Sequence, residues 1–213
     1  MVAAGHRVIA PLRGRVDGYE GVRGERARRL AGLVTVIEGC PFGSEAFLSL
    51  VRGDAWDLFA HHGAATANYR SADFDVVGAL AENTSGLPAL LRSFQEAGGR
   101  GVLLTGSVFE QDEGVGNAPM AAFSPYGLSK GLTAQVFRYW CGTLDVPLGK
   151  FVIPNPFGPF EEPRFCHYLI RSWLRGETPT VHTPRYVRDN IHVDLLAQLY
   201  ARFAIKSLKA AVC

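Results

Sequence analysis

Residues 103–109, Leu103-Leu104-Thr105-Gly106-Ser107-Val108-Phe109, and residues 124–130, Ser124-Pro125-Tyr126-Gly127-Leu128-Ser129-Lys130, decide the fold. The first stretch reads as an apolar strand that ends in hydroxyls. The second opens a helix: Pro125 suits a first helical turn, and the pattern runs on to Gly142 and Leu144. The carboxyl end of a parallel strand faces the ligand crevice, so Thr105 and Ser107 stand where a site is expected. Tyr126 and Lys130, at the spacing of one helical turn, share a helix face. An ammonium beside a phenol favours the phenolate, and a phenol made more acidic in this way can exchange a proton with a substrate hydroxyl near neutral pH. The plain alternative is a chance pair on the surface.

Outward from this centre the chain alternates short apolar runs with segments of helical spacing. Residues 8–12, 33–37, 56–60, 101–105 and 148–153 read as strands. Residues 75–97, with Val76, Val77, Leu80, Leu87, Leu90, Leu91 and Phe94 on one face, predict a single helix stopped by Gly98-Gly99. The alternation predicts a doubly wound α/β fold with a parallel sheet. After Pro154 the text turns to Pro, aromatic and charged residues, and the chain is expected to leave the sheet and build beside it.

Composition narrows the classes. The 213 residues are 47% hydrophobic and 20% charged, enough apolar material for a packed core. Lys and Arg number 22 against 20 Asp and Glu, a net charge of +2 that argues against nucleic acid or an anionic membrane as partner. Cys40, Cys141, Cys166 and Cys213 lie far apart, outline neither a zinc site nor a disulfide framework, and suit a reducing cytoplasm. No apolar run of about 18 residues marks a membrane span, and residues 1–6 lack a signal-peptide pattern. His61, His62 and His192 have no carboxylates at ligand spacing and read as packed or capping imidazoles rather than a metal site.

Further motifs stand in order along the chain: His62-Gly63-Ala64-Ala65, Asn83-Thr84-Ser85-Gly86, Asn155-Pro156-Phe157-Gly158-Pro159 and Val187-Arg188-Asp189-Asn190-Ile191-His192-Val193-Asp194-Leu195-Leu196-Ala197. With Thr105, Tyr126 and Lys130 they resemble the extended short-chain dehydrogenase/reductases, the NAD(P)-dependent sugar-nucleotide epimerase/dehydratase family, from about His6 to Leu199. The resemblance implies a Rossmann-like domain over residues 1–153 and a substrate-binding segment over 154–213, whose 187–200 part packs back on the core. It implies Tyr126 as acid/base, Lys130 as the group that lowers its pKa and holds the nicotinamide ribose, and Thr105 as the partner of the reacting oxygen. Gly63, Ala64, Ala65, Asn83 and Pro154 would line NAD or NADP, with Arg13, Cys40 and Pro41 toward its adenosine. Arg13 and Arg15 after the first strand lean toward NADP. Ser107, Asn155 and Arg188 would hold a nucleoside-diphosphate sugar, since an Arg fork suits phosphate oxygens.

The implied reaction is hydride transfer at C4 of that sugar, as in 4-epimerases and 4-ketoreductases. Gly106-Ser107 stands where 4,6-dehydratases carry Asp-Glu, which speaks against that branch, and Cys166-His167 reads as packing. Homodimerisation is an expectation of the same kind. The family's Gly-x-x-Gly-x-x-Gly turn is missing, so the chain reads as lacking its first β-α unit, and its substrate lobe reads as incomplete. The alternative is therefore a truncated, catalytically inactive relative that at most binds a nucleotide sugar or a partner.

Overall fold

The computed structural model describes residues 1–114, 120–185 and 187–210; Cys213 lies outside them. In chain order the elements are β1 (Ile9–Pro11), α1 (Gly21–Ala31), β2 (Thr35–Ile37), α2 (Glu45–Arg52), β3 (Leu58–His61), α3 (Val76–Thr84) and α4 (Leu87–Glu96). They continue with β4 (Gly101–Ser107), α5 (Pro125–Thr143), β5 (Leu148–Ile153), β6 (Asn155–Phe157), α6 (Phe165–Leu174), β7 (Asn190–His192) and α7 (Val193–Ala210). Every strand pair is parallel. Parallel neighbours need crossovers, and α1, the α3–α4 pair and α5 provide them. This is the Rossmann-like α/β class expected.

The strands form three groups: β1-β2, β3-β4-β5 and β6-β7. No ladder joins β1 to β3 among the described residues. β4 is central in its group, and its residues 101–106 are buried. A strand covered on both faces reads as a continuous apolar run.

Residues 75–97 are two helices, not one. Gly86 takes φ 63 between them, a left-handed conformation that favours glycine, and Pro88 in the first turn of α4 cannot extend the preceding helix because its ring meets the carbonyl four residues back. The break starts a new apolar face: Leu87, Leu90, Leu91 and Phe94 are each at most 1% exposed. Each such side chain contributes roughly 1.5–3 kcal/mol of burial. They pack with Phe47 and Val51 of α2, Val102 and Leu104 of β4, and Ala134, Phe137 and Cys141 of α5. Three helices start on side-chain caps, in which Ser44, Asp75 and Ser124 accept the N–H groups of Phe47, Gly78 and Gly127.

His61, the last residue of β3, is 3% exposed and its ring lies 4.5 Å from Phe42, 4.9 Å from Phe137 and 5.9 Å from Phe59. Burial, followed by the charges of Lys130 and His62, pushes its pKa down to about 3. The folded imidazole stays neutral while the unfolded one takes a proton below about pH 6.5, so acid favours the unfolded state. Stability should fall by a few kcal/mol as pH drops from about 6.5 toward 3. Urea titrations of wild type and His61→Leu across that window should show the shallower acid limb in the variant.

Candidate active site

The first turns of α5 lie against the end of β4. Lys130 is 4% exposed, and its Nζ donates to the Thr105 carbonyl at 2.8 Å. Burial lowers its pKa, with the charge of Glu110 acting in the opposite direction. Gly127 is required by close approach: a Cβ there would stand 1.9 Å from the Phe109 carbonyl oxygen. That contact lets the loop after β4 nest on the helix beside Tyr126. The Tyr126 ring meets Tyr69 and Phe74 edge-on at 5.5 and 5.9 Å.

The electrostatics of Tyr126 differ from expectation. Its pKa lies above the ordinary phenol value, because burial comes first and the charge of Glu110 and the Tyr69 phenol follow; the Arg164 guanidinium alone pulls the other way. The expected lowering by Lys130 is absent, and the ammonium is committed to the Thr105 carbonyl instead. Tyr126 is therefore a phenol at neutral pH. The Thr105 hydroxyl, 8% exposed as a residue, lies 2.9 Å from His62 Nδ1 and 3.4 Å from the Tyr200 hydroxyl.

Beside this cluster opens a cavity of about 480 Å³. Its walls carry three guanidiniums, Arg70, Arg164 and Arg188. The Arg188 guanidinium lies 5.2 Å from the Phe109 ring and 5.0 Å from the Phe123 ring, and it donates to Asn155 Oδ1 at 3.0 Å. Burial and the neighbouring charge of Arg164 lower its pKa. Opposite, Tyr69, Arg70 and Arg164 converge on Glu162: Arg70 reaches its Oε2 at 2.9 Å, the Tyr69 hydroxyl donates to the same oxygen at 3.1 Å, and Arg164 lies 3.6 Å away. Arg70, Arg164 and Arg188 give the cavity cationic walls suited to an anion.

The residues suit a dinucleotide at one end only. Asn83, 3% exposed, accepts the Ala65 N–H at 2.8 Å and donates to Thr133 at 3.2 Å, which ties the Gly63–Ala65 loop to α5 near Lys130. Pro154 follows β5 directly. A pyrophosphate needs free main-chain N–H groups at a helix start. Here α1 begins behind Glu20, an acidic residue, and the Gly14 N–H is already given to Tyr19. Arg13 pairs with Glu82 and Arg15 with Asp17. Cys40 is 2% exposed within the apolar core and Pro41 is partly buried, so neither offers a polar group to an adenosine. The described residues thus fit the nicotinamide end and present no pyrophosphate cradle.

Of the residues read from the sequence, Thr105, Lys130, Tyr126, Ala65 and Asn83 gather at the end of β4, and Asn155 and Arg188 meet in the cavity. Ser107 is the last residue of β4, and its N–H donates to the Glu110 carboxylate. Cys166, read as packing, lines the cavity. Tyr69, Arg70, Glu162, Arg164 and Glu110 were not found by motif. None has a spacing signal, because each meets its partners through the fold. No group of three or more His, Cys, Asp or Glu converges as a metal site among the described residues. No helix there is long and apolar enough to cross a membrane.

A search of curated proteins finds no match to the chain. Among solved structures, it is similar to a dTDP-glucose 4,6-dehydratase from Streptomyces venezuelae with NAD and TYD bound, at 20% identity and TM-score 0.63, covering 90% of this chain and 60% of that one. A UDP-glucose 4-epimerase from Thermotoga maritima with UDP-glucose is 16% identical, with TM-score 0.64 over 92% of this chain and 65% of that one. A UDP-glucose-4-epimerase from Stenotrophomonas maltophila with bound NAD and formylated UDP-arabinopyranose is 20% identical, with TM-score 0.68 over 95% and 67%. The chain thus spans about 60 to 67% of the length of these structures. The NAD dependent epimerase/dehydratase family matches residues 2–210, nearly the whole of the described chain, and the protein belongs to that family.

Proposed function

We propose that this chain carries the proton-handling and substrate-holding parts of a sugar-nucleotide epimerase or 4-ketoreductase that acts at C4 of a nucleoside-diphosphate sugar. The observation that carries the reading is the placement of Tyr126, one helical turn before the buried Lys130, beside a cavity walled by three guanidiniums. Diphosphate oxygens match Arg188 with Asn155, since charge-assisted bonds from a guanidinium fork are stronger than neutral ones. The sugar would then lie toward Tyr126, whose phenol gives its proton to the oxygen at C4 and takes it back in reverse. When bound, the nicotinamide dinucleotide would take up the C4 hydride in its oxidised form and give it back in its reduced form. With Arg13 and Arg15 paired to carboxylates and the solved relatives holding NAD, NAD is the better supported cofactor and the lean to NADP is dropped. Residues 1–153 act as the nucleotide-binding part and 154–213 as the substrate part.

The second reading, an inactive relative that binds nucleotide sugar only, is favoured by the missing pyrophosphate cradle. Titration of the purified chain with NADH by nicotinamide fluorescence, alongside calorimetry with UDP and dTDP, separates the two. Binding of both ligand types is expected from an enzyme; nucleotide binding with no NADH response would establish the second reading.

Tyr126→Phe should lower turnover of UDP- or dTDP-hexoses in the presence of NAD by roughly 100- to 10,000-fold while nucleotide affinity stays unchanged. Full activity in that variant would sink the mechanism. Arg188→Ala should weaken nucleoside-diphosphate binding by about 10- to 100-fold in calorimetry, the worth of a charged hydrogen-bonding group; unchanged affinity would place the diphosphate elsewhere.

A further inference from the structure

Glu110 belongs to none of the motifs, yet its side chain is 1% exposed at the centre of the site. A buried carboxylate is costly unless its oxygens are partnered. Here Oε1 accepts the Ser107 N–H at 2.7 Å, and Oε2 faces Lys150 Nζ at 2.7 Å. Lys150 comes from β5, beside Leu104 in the ladder, and also pairs with Glu113.

Lys150 and Glu110 come together against Gly106. A Cβ at that position would lie 2.7 Å from Lys150 Cε and 3.1 Å from Glu110 Oε1, so a side chain at residue 106 would push on both ends of the pair. This gives Gly106 a physical reason that the sequence alone did not supply. The same carboxylate closes a turn in which the Glu110 N–H reaches the Ser107 carbonyl at 3.1 Å and the Phe109 N–H reaches Ser107 Oγ at 3.2 Å. The turn delivers Phe109 to its stack on Phe123, at 5.1 Å, and to Arg188.

We propose that Glu110, ion-paired to Lys150 against Gly106, is a positioning residue of this active site: it holds the turn that carries Phe109 to Arg188 and supplies the buried negative charge opposite Lys130. The inference rests on the reading of Tyr126 as the acid/base. The charges acting on Tyr126 are Glu110, Tyr69 and Arg164. Those acting on Lys130 are Glu110 and Lys150, and Lys150 is in turn held by Glu110 and Glu113. Glu110 is thus the charge shared by the acid and by the buried ammonium beside it. Its presence favours the phenol form of Tyr126 and the ammonium form of Lys130.

The test is the titration of residue 126 itself, which needs neither cofactor nor turnover. With 3-fluorotyrosine at position 126, whose fluorine makes the phenol more acidic, fluorine NMR follows ionisation while the chain remains folded. Glu110→Gln keeps the shape and one acceptor but removes the charge, so the midpoint should move to lower pH. The double variant Glu110→Gln with Lys150→Met removes both charges of the ion pair, so Lys150 is not left facing a neutral amide. It should move in the same direction, because Glu110 acts on Tyr126 directly. Glu110→Asp should return the midpoint toward wild type. An unmoved midpoint in folded Glu110→Gln or in the double variant overturns the proposal and leaves Glu110 a packing contact. Retained turnover in Tyr126→Phe would instead remove the catalytic reading while leaving this titration result intact, so the two failures are distinguishable.

Discussion

The buried ammonium of Lys130 is the constraint around which the site is built. At 4% exposure it has given up its water, and the loss is offset by the Thr105 carbonyl at 2.8 Å and by the nearby charge of Glu110. That bond holds α5 to the carboxyl end of β4. Tyr126, one turn earlier on the same helix, is thereby packed against Tyr69, which lines the cavity. Gly127 lets the loop after β4 come close enough to carry Phe109 past the helix, and Asn83 ties α3 and the loop after β3 to the same helix through Thr133. An uncompensated ammonium at this position would cost several kcal/mol, so helix, strand end and loop are coupled through one charge.

The cavity is organised on a different principle. Its cations come from three distant segments: Arg70 follows β3, Arg164 precedes α6 and Arg188 precedes β7. Arg188 is held by two aromatic faces and the Asn155 side chain, an arrangement in which each ring contributes about 0.5–1 kcal/mol or more and the guanidinium is oriented before a ligand arrives. Arg70 and Arg164 share Glu162, an exposed carboxylate whose pairings are weak and exchangeable. One wall is thus preset and the other adaptable.

Much of the scaffold was legible. The strand at residues 148–153 was read with its observed bounds, and the helix from Tyr126 was placed within a residue at each end, since an apolar run and a Pro-to-Gly frame are local signals. Helix α1 was missed because Gly21 and Gly24 within a charged stretch do not look helical, and α2 was missed because its apolar face of Phe47, Leu50 and Val51 spans only eight residues. The break between α3 and α4 was hidden by apolar spacing that continues across Gly86. The pairing of Tyr126 with Lys130 was visible in their spacing, but the direction of the phenol's pKa was not, because burial and Glu110 outweigh an ammonium that bonds elsewhere.

By itself the sequence determined the alternation of strands and helices, the Tyr126 and Lys130 face, and the motif residues that mark the family. These are properties of short segments, set by spacing and backbone chemistry. Only the tertiary structure decided which groups share a dielectric and a field. Tyr69 and Arg164 meet across 95 residues, Lys150 and Glu113 across 37, and the close approach of Lys150 and Glu110 to Gly106 is visible only in the fold. Burial and Coulomb interactions act through space rather than along the chain. The acid strength of Tyr126 and the cationic walls of the cavity therefore exist only in the folded arrangement.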